Sequence, residues 1–222
     1  MLPPPPTLLS IQVGQPTTYL DDLPSSQQPW TTAFFKSPVV GTVFVTRTGL
    51  TGDAQADLKH HGGVDKAVLA YAASHYALWR QELATTNFCC GGFGENLTIE
   101  GLTEHTVCIG DVWSLGETLL QVSQPRQPCW KLARHWQIKE LTALVVANCR
   151  TGWYLRVLRE GTIAAGQSLT LQKRPQPQWS VAKAHDIMHH RKDDVALSTE
   201  LANLPELSTA WQEELRKRSA SV

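Results

Sequence analysis

Cys129 lies in the stretch Ser123-Gln124-Pro125-Arg126-Gln127-Pro128-Cys129-Trp130-Lys131-Leu132, which is polar, proline-bounded and cationic. Cationic neighbours stabilise a thiolate over a thiol. A thiolate placed this way can act as a nucleophile or as a soft metal ligand. A lone cysteine is more often a small buried hydrophobe, but these surroundings are unlike a core strand. A Cys–His hydrolase would need a histidine and an oxyanion site, and no family signature of that kind is present. A soft-metal ligand fits if most of the coordination comes from a cofactor.

Three other loops carry candidate chemistry. Arg47-Thr48-Gly49-Leu50-Thr51-Gly52-Asp53 leads into Gln55-Ala56-Asp57. Lys59-His60-His61-Gly62-Gly63-Val64-Asp65-Lys66 pairs two glycines with cations. Gly62 and Gly63 would let the backbone approach an anion with its N–H groups, while Lys66 and Lys59 add charge. The spacing is neither a Walker nor a dinucleotide pattern, and a plain turn is the simpler reading. In Gly91-Gly92-Phe93-Gly94-Glu95-Asn96, the carboxylate and amide could read a heterocycle's donor and acceptor edge, or simply satisfy loop backbone. His61 is a candidate proton donor. His185 and His189 have a zinc-compatible spacing but no evident third ligand, so a solvated helix face is expected there.

These loops need strands to hold them. Strands are expected at Leu8–Val13, Val39–Thr46, Lys66–Tyr71, Leu97–Ile99, Val112–Leu115, Glu117–Val122, Gly152–Leu158 and Gly166–Leu171. Helical spacing is read over 72–83 and over 130–146. Leu20 to Ser37 reads as a polar, proline-punctuated connection, and Gly161 as a turn. Short strands at turn-marked intervals with two helices predict a mainly β, closed or nearly closed structure with peripheral helices. After Lys173-Arg174-Pro175-Gln176-Pro177-Gln178, which looks like a linker, three helices follow over 180–188, 198–204 and 206–218. The expected division is therefore a β domain over 1–174 and a small three-helix domain over 175–222.

The 222 residues carry a formal net charge of zero, which argues against sequence-independent nucleic-acid binding. No apolar run suits a membrane span, and the proline-rich start does not read as a secretory signal. Five cysteines, an odd number with no C-x-x-C pair, fit a reducing cytoplasm with mostly structural thiols.

Taken in order, Gly52-Asp53-x-Gln55-Ala56-Asp57, Lys59-His60-His61-Gly62-Gly63-x-Asp65-Lys66-Ala67, Phe93-Gly94-Glu95-Asn96-Leu97 and Ser123-Gln124-Pro125-Arg126-x-Pro128-Cys129-x-Lys131-Leu132 resemble the MOSC-domain family, in its YiiM-type branch. The resemblance spans about residues 11–171, and the C-terminal helices look like that branch's three-helix extension. It implies a MOSC-type β-barrel and a molybdenum cofactor, molybdopterin, with Cys129 at the position of the metal-binding cysteine. Gly62, Gly63, Lys66, Glu95, Asn96, Arg126 and Lys131 match positions expected to line the pterin or substrate pocket.

The branch is associated with reducing N-hydroxylated compounds, including hydroxylaminopurine base analogues, which amounts to detoxification of modified bases. His61 and Glu95 are then candidates for proton delivery. The chain has no flavin fingerprint or iron–sulfur cysteine set, so a separate flavin-type reductase is the expected electron donor. The alternative is a non-redox carrier of the cofactor, or of sulfur as a Cys129 persulfide. The three helices could dock the donor or cover a dimer surface in a homodimer; covering a sheet edge is the simpler role.

Overall fold

The computed structural model describes residues 4–20, 29–57, 62–85 and 87–219. In chain order the strands are β1 (Thr7–Val13), β2 (Thr17–Tyr19), β3 (Trp30–Thr32), β4 (Ser37–Pro38), β5 (Thr42–Thr46), β6 (Gly49–Leu50), β7 (Val68–Ala72), β8 (Leu97–Glu100), β9 (Val112–Leu115), β10 (Thr118–Pro125), β11 (Trp153–Arg159), β12 (Gly161–Ala164) and β13 (Thr170–Lys173). The helices are α1 (Ser74–Glu82), α2 (Trp130–Trp136), α3 (Leu141–Ala147), α4 (Val181–His189), α5 (Val195–Ala202) and α6 (Thr209–Ser219).

The main sheet runs β13-β9-β10-β11-β7-β8-β1-β4, and every pairing in it is antiparallel except β7 with β8. It curls on itself. Gly166 N–H donates to the Leu8 carbonyl at 2.7 Å, Leu8 N–H to Gln167 at 2.9 Å, and Leu169 N–H to Pro6 at 2.8 Å. The segment leading into β13 is thereby tied back to β1, and few backbone groups are left as an open edge. Mainly β with peripheral helices is therefore the observed class, in the form of a curled half-barrel.

Burial follows the pleat. In β11, Trp153, Leu155 and Val157 are buried, while Tyr154, Arg156 and Leu158 between them are only half-buried. β7 is buried at every position because both of its faces are covered. Inside lies an aliphatic core containing Ile11, Leu97, Leu120 and Val122. Outside, Tyr71, Tyr76, Trp79, Phe88 and Phe93 form an aromatic cluster that also receives Leu132, Leu141 and Val145. Tyr71 and Phe93 stack at 4.4 Å, and the Trp79 indole N–H donates to the Tyr71 hydroxyl at 2.7 Å.

That second cluster explains one departure from the sequence reading. Residues 130–146 form two helices, broken at Gln137, whose φ is 54°. In one continuous helix, Leu141 would lie about 180° around the axis from Leu132. The break lets both enter the same cluster, where burying each such side chain contributes about 1.5–3 kcal/mol.

Other departures are local. Lys66 ends a 3-10 turn, Val64–Lys66, and the strand starts at Val68. Gly41, at φ 91°, separates the short β4 from β5. Residues 161–164, expected as a turn, form β12 against β5, and β3 lies inside the expected connection. α5 starts earlier than expected because the Asp194 carboxylate accepts the Leu197 N–H at 3.0 Å and caps it.

The three C-terminal helices share the sheet's core: Trp179, Val181, Ile187, Leu201 and Trp211 pack in the same cluster as Ile109 and Val122. The expected solvated histidine face on α4 is corrected here. His185 is buried, with its Nε2 2.8 Å from the Val146 carbonyl, because α4 turns that face inward. Among the described residues no helix is long and apolar enough to cross a membrane.

Gly152 is a point of close approach. It has φ 75°, and a Cβ there would lie 2.4 Å from the Ala70 carbonyl oxygen. Gly166, at φ 87°, has nothing within 4 Å of such a Cβ. Gly152→Ala should cost about 2–5 kcal/mol, from strain plus overlap, and Gly166→Ala only about 1 kcal/mol. Urea unfolding of both variants measures the difference.

Candidate functional site

One level of the sheet forms the floor of a cleft. Gln124 on β10 pairs with Tyr154 on β11, and Tyr154 pairs with Leu69 on β7. Leu69 meets Asn96, which is hydrogen-bonded to Gln12 of β1. The cleft above encloses about 620 Å³ not filled by protein atoms, part of it open to solvent. Cys129, Arg126 and Lys131 enter from the segment after β10, and Gly62 and Lys66 from the turn before β7. Gly94 and Asn96 enter from the loop before β8.

Cys129 is half-buried and holds an extended conformation (φ −120°, ψ 168°) immediately before α2. Its carbonyl accepts the Leu132 N–H at 3.1 Å and the Thr142 hydroxyl at 3.3 Å, so its backbone is held from both following helices. Arg126 is only 4 % exposed. Its main-chain N–H donates to Gly152 at 3.0 Å, but its Nη1 is buried with no protein partner. A buried guanidinium nitrogen without an acceptor is costly unless an anion completes it. Lys66 is partly buried. Burial pulls its pKa below the usual lysine range, opposed by the nearby carboxylates of Asp65 and Asp57. Three cations, Lys66, Arg126 and Lys131, and one carboxylate, Asp57, thus line the cleft together with Cys129.

Asn96 lines the cleft, yet its amide is used by the protein. Its Oδ1 accepts the Leu69 N–H at 3.1 Å, and its Nδ2 donates to Asp53 at 2.9 Å and to the Gln12 carbonyl at 3.3 Å. Asp53 in turn accepts from Lys36 and from the Gly14 N–H at 2.7 Å. Burial lowers the Lys36 pKa, and Asp53 opposes that shift.

Glu95 is not brought to the cleft. It is fully buried behind the wall, accepting from the Tyr76 hydroxyl, from Gly91 N–H at 2.8 Å, from Phe93 N–H at 3.1 Å and from Thr98 at 2.8 Å. With both oxygens committed, it holds the glycine loop closed and is not placed to relay protons. Burial and the Glu95 charge raise the Tyr76 pKa well above the usual tyrosine range. Gly63, at φ 83°, is exposed and supports the turn through its carbonyl, which accepts the Lys66 N–H at 3.1 Å. His61, with Lys59 and His60, lies outside the described residues.

Sequence reasoning missed several cleft residues. Thr32, Ala33 and Phe34 come from the segment taken as a polar connection, and Tyr154 from a strand read only as structure. The run Trp30-Thr31-Thr32-Ala33-Phe34-Phe35 was the available signal, since it is too apolar for a solvated loop. Phe34 also explains Gly94: at φ 73°, a Cβ there would sit 2.9 Å from the phenyl ring.

A family model described as the MOSC domain matches residues 57–170, and one described as a YiiM-like 3-alpha helix domain matches residues 179–221. The chain is 40% identical over 212 residues to YflK of Bacillus subtilis, covering 96% of this chain and 94% of YflK. It is 36% identical over 178 residues to a Gibberella moniliformis protein named "Reductase", covering 79% of this chain but 32% of that protein. The crystal structure of YiiM from Geobacillus stearothermophilus superposes with a TM-score of 0.81 at 36% identity, covering 97% of this chain and 100% of that one.

The wall behind the cleft has a consequence for acid stability. His135 on α2 packs against the Phe34, Phe35 and Trp136 rings, and burial lowers its pKa to about 4. An unfolded histidine titrates near about 6.5, so between the two values the unfolded chain binds the extra proton. This contribution to stability is complete above about pH 6.5 and is lost as pH falls towards about 4. His135→Phe should flatten the decline of urea-unfolding stability between about pH 7 and 5 without abolishing it, because His189 is also lowered to about 4.

Proposed function

The chain belongs to the MOSC-domain family, with the YiiM-type three-helix unit, and from that premise we propose a molybdenum-cofactor-dependent oxidoreductase that reduces N-hydroxylated compounds, hydroxylaminopurines among them, to amines. The observation that carries the reading is a cysteine thiol in a cleft whose wall contains a buried, incompletely partnered guanidinium. The name of the Gibberella relative supports redox chemistry.

The residues present fit the group. Among the described residues no three His, Cys, Asp or Glu side chains converge on a metal position, so Cys129 would be a single protein ligand beside ligands from the cofactor itself. The unpartnered Arg126 nitrogen, with Lys66 and Lys131, suits the cofactor's phosphate and other anionic groups. When bound, the cofactor supplies the two electrons that, with two protons, convert R–NHOH to R–NH2 and water.

The chain's own residues do the rest. Cys129 anchors the group from a backbone held by Leu132 and Thr142. Phe34 and Leu69 give the cleft apolar walls that limit water. The electrons would come from a separate flavin-type reductase.

Cys129→Ser protein isolated from cofactor-competent cells should keep its circular dichroism and melting behaviour while its molybdenum falls to background. Equal metal in both proteins would remove the proposed ligand. Arg126→Ala should retain cofactor about tenfold more weakly or worse, as expected for one lost charged contact. Pterin and molybdenum content after dialysis measure it. A pure carrier would hold the cofactor but form no amine from a hydroxylamine after chemical reduction.

A further inference from the structure

Trp130 is 55 % exposed. A single exposed apolar side chain is ordinary and needs no explanation by itself. Three facts set this one apart. It lies between Cys129 and Lys131, both of which line the cleft. It is the first residue of α2, directly after Cys129 in the chain, and its ring neighbour Trp30 opens the segment whose Thr32, Ala33 and Phe34 line the same cleft. Finally, the ring is clamped. Trp30 lies 5.3 Å away between ring centres, and the Arg134 guanidinium stands over both indoles, 4.7 Å from Trp30 and 5.6 Å from Trp130.

The clamp has its own support. Trp30 is buried and packs against Phe35 at 5.9 Å and Tyr19 at 6.2 Å. Cation–π attraction and ring packing thus hold in place an indole that is still more than half exposed. An exposed tryptophan held in place between two residues that line a cationic cleft loses little further entropy when a flat ring settles on it.

We propose that Trp130, held by Trp30 and Arg134, is a stacking platform that selects flat, fused-ring N-hydroxylated heterocycles over non-planar aliphatic hydroxylamines. A purine-sized ring can lie face to face on the indole while its exocyclic N–OH group points into the cleft beside Cys129. A saturated ring presents axial hydrogens and cannot make that contact. The inference rests on the reductase reading for the identity of the reacting group, but the stacking itself needs no turnover.

The test uses cofactor-loaded protein kept oxidised, so that ligand binds without reacting. Calorimetry compares hydroxylaminopurine with N-cyclohexylhydroxylamine for wild type, Trp130→Ala and Trp130→Phe. Trp130→Ala should weaken purine binding by about tenfold, with affinity largely recovered in Trp130→Phe and the cyclohexyl compound shifted less than about twofold. In reduced protein, the kcat/KM ratio of purine to cyclohexyl substrate should fall by a similar factor, mainly through KM. Unchanged purine binding in Trp130→Ala, or equal losses for both ligands, overturns the platform even if amine is formed. Trp130-dependent purine binding without amine from reduced wild type leaves the platform standing and removes the reductase reading.

Discussion

Asn96 ties together the end of the sheet on which the cleft is built. Its main chain pairs with both Leu69 and Gln12, and its side-chain amide bonds Leu69, Gln12 and Asp53. One residue therefore joins β1, β7, the entry to β8 and the loop carrying Asp53. A buried amide with its oxygen and both of its hydrogens engaged resists rearrangement, because any shift would strand polar groups away from water. The walls that present Cys129, Lys66 and Arg126 are raised on this fixed level.

The C-terminal helices contribute to the same rigidity from the other side. The Ser208 hydroxyl donates to the Gln124 side-chain oxygen at 2.7 Å, and Ser208 N–H donates to the Ser123 carbonyl at 2.9 Å. The Asp65 carboxylate accepts the Thr209 N–H at 3.1 Å and pairs with Arg156. Asp65 stands beside Lys66, and Ser123 and Gln124 lead to Arg126. The helical unit thus braces both cation-bearing segments of the cleft. Its shared core with the sheet gives that brace stiffness, since close-packed interiors transmit displacement instead of absorbing it.

Much of the strand framework was legible from period and turn signals. Leu8–Val13, Val112–Leu115 and Gly152–Leu158 alternate or run apolar between proline or glycine signals, and each is a strand within a residue or two. β12 was missed because Gly161 looked like a stop, whereas here its carbonless side lets the chain pass Glu117 closely and continue. The break at Gln137 was invisible because helix propensity is local, while the reason for the break is an aromatic cluster assembled from distant segments. His185 looked solvated for the same reason: its partner, Val146, is 39 residues away.

The sequence alone determined which residue types surround Cys129, because prolines, cations and glycines act through local backbone geometry and charge. It also determined the family, since four ordered motifs survive without any knowledge of contacts. Only the tertiary structure decided what the described motif residues touch. It turned Glu95 inward onto four donors, left an Arg126 nitrogen without a partner, and brought Phe34 and Tyr154 to the cleft. Hydrogen-bond saturation and burial are properties of neighbours in space, and a linear chain does not state who those neighbours are.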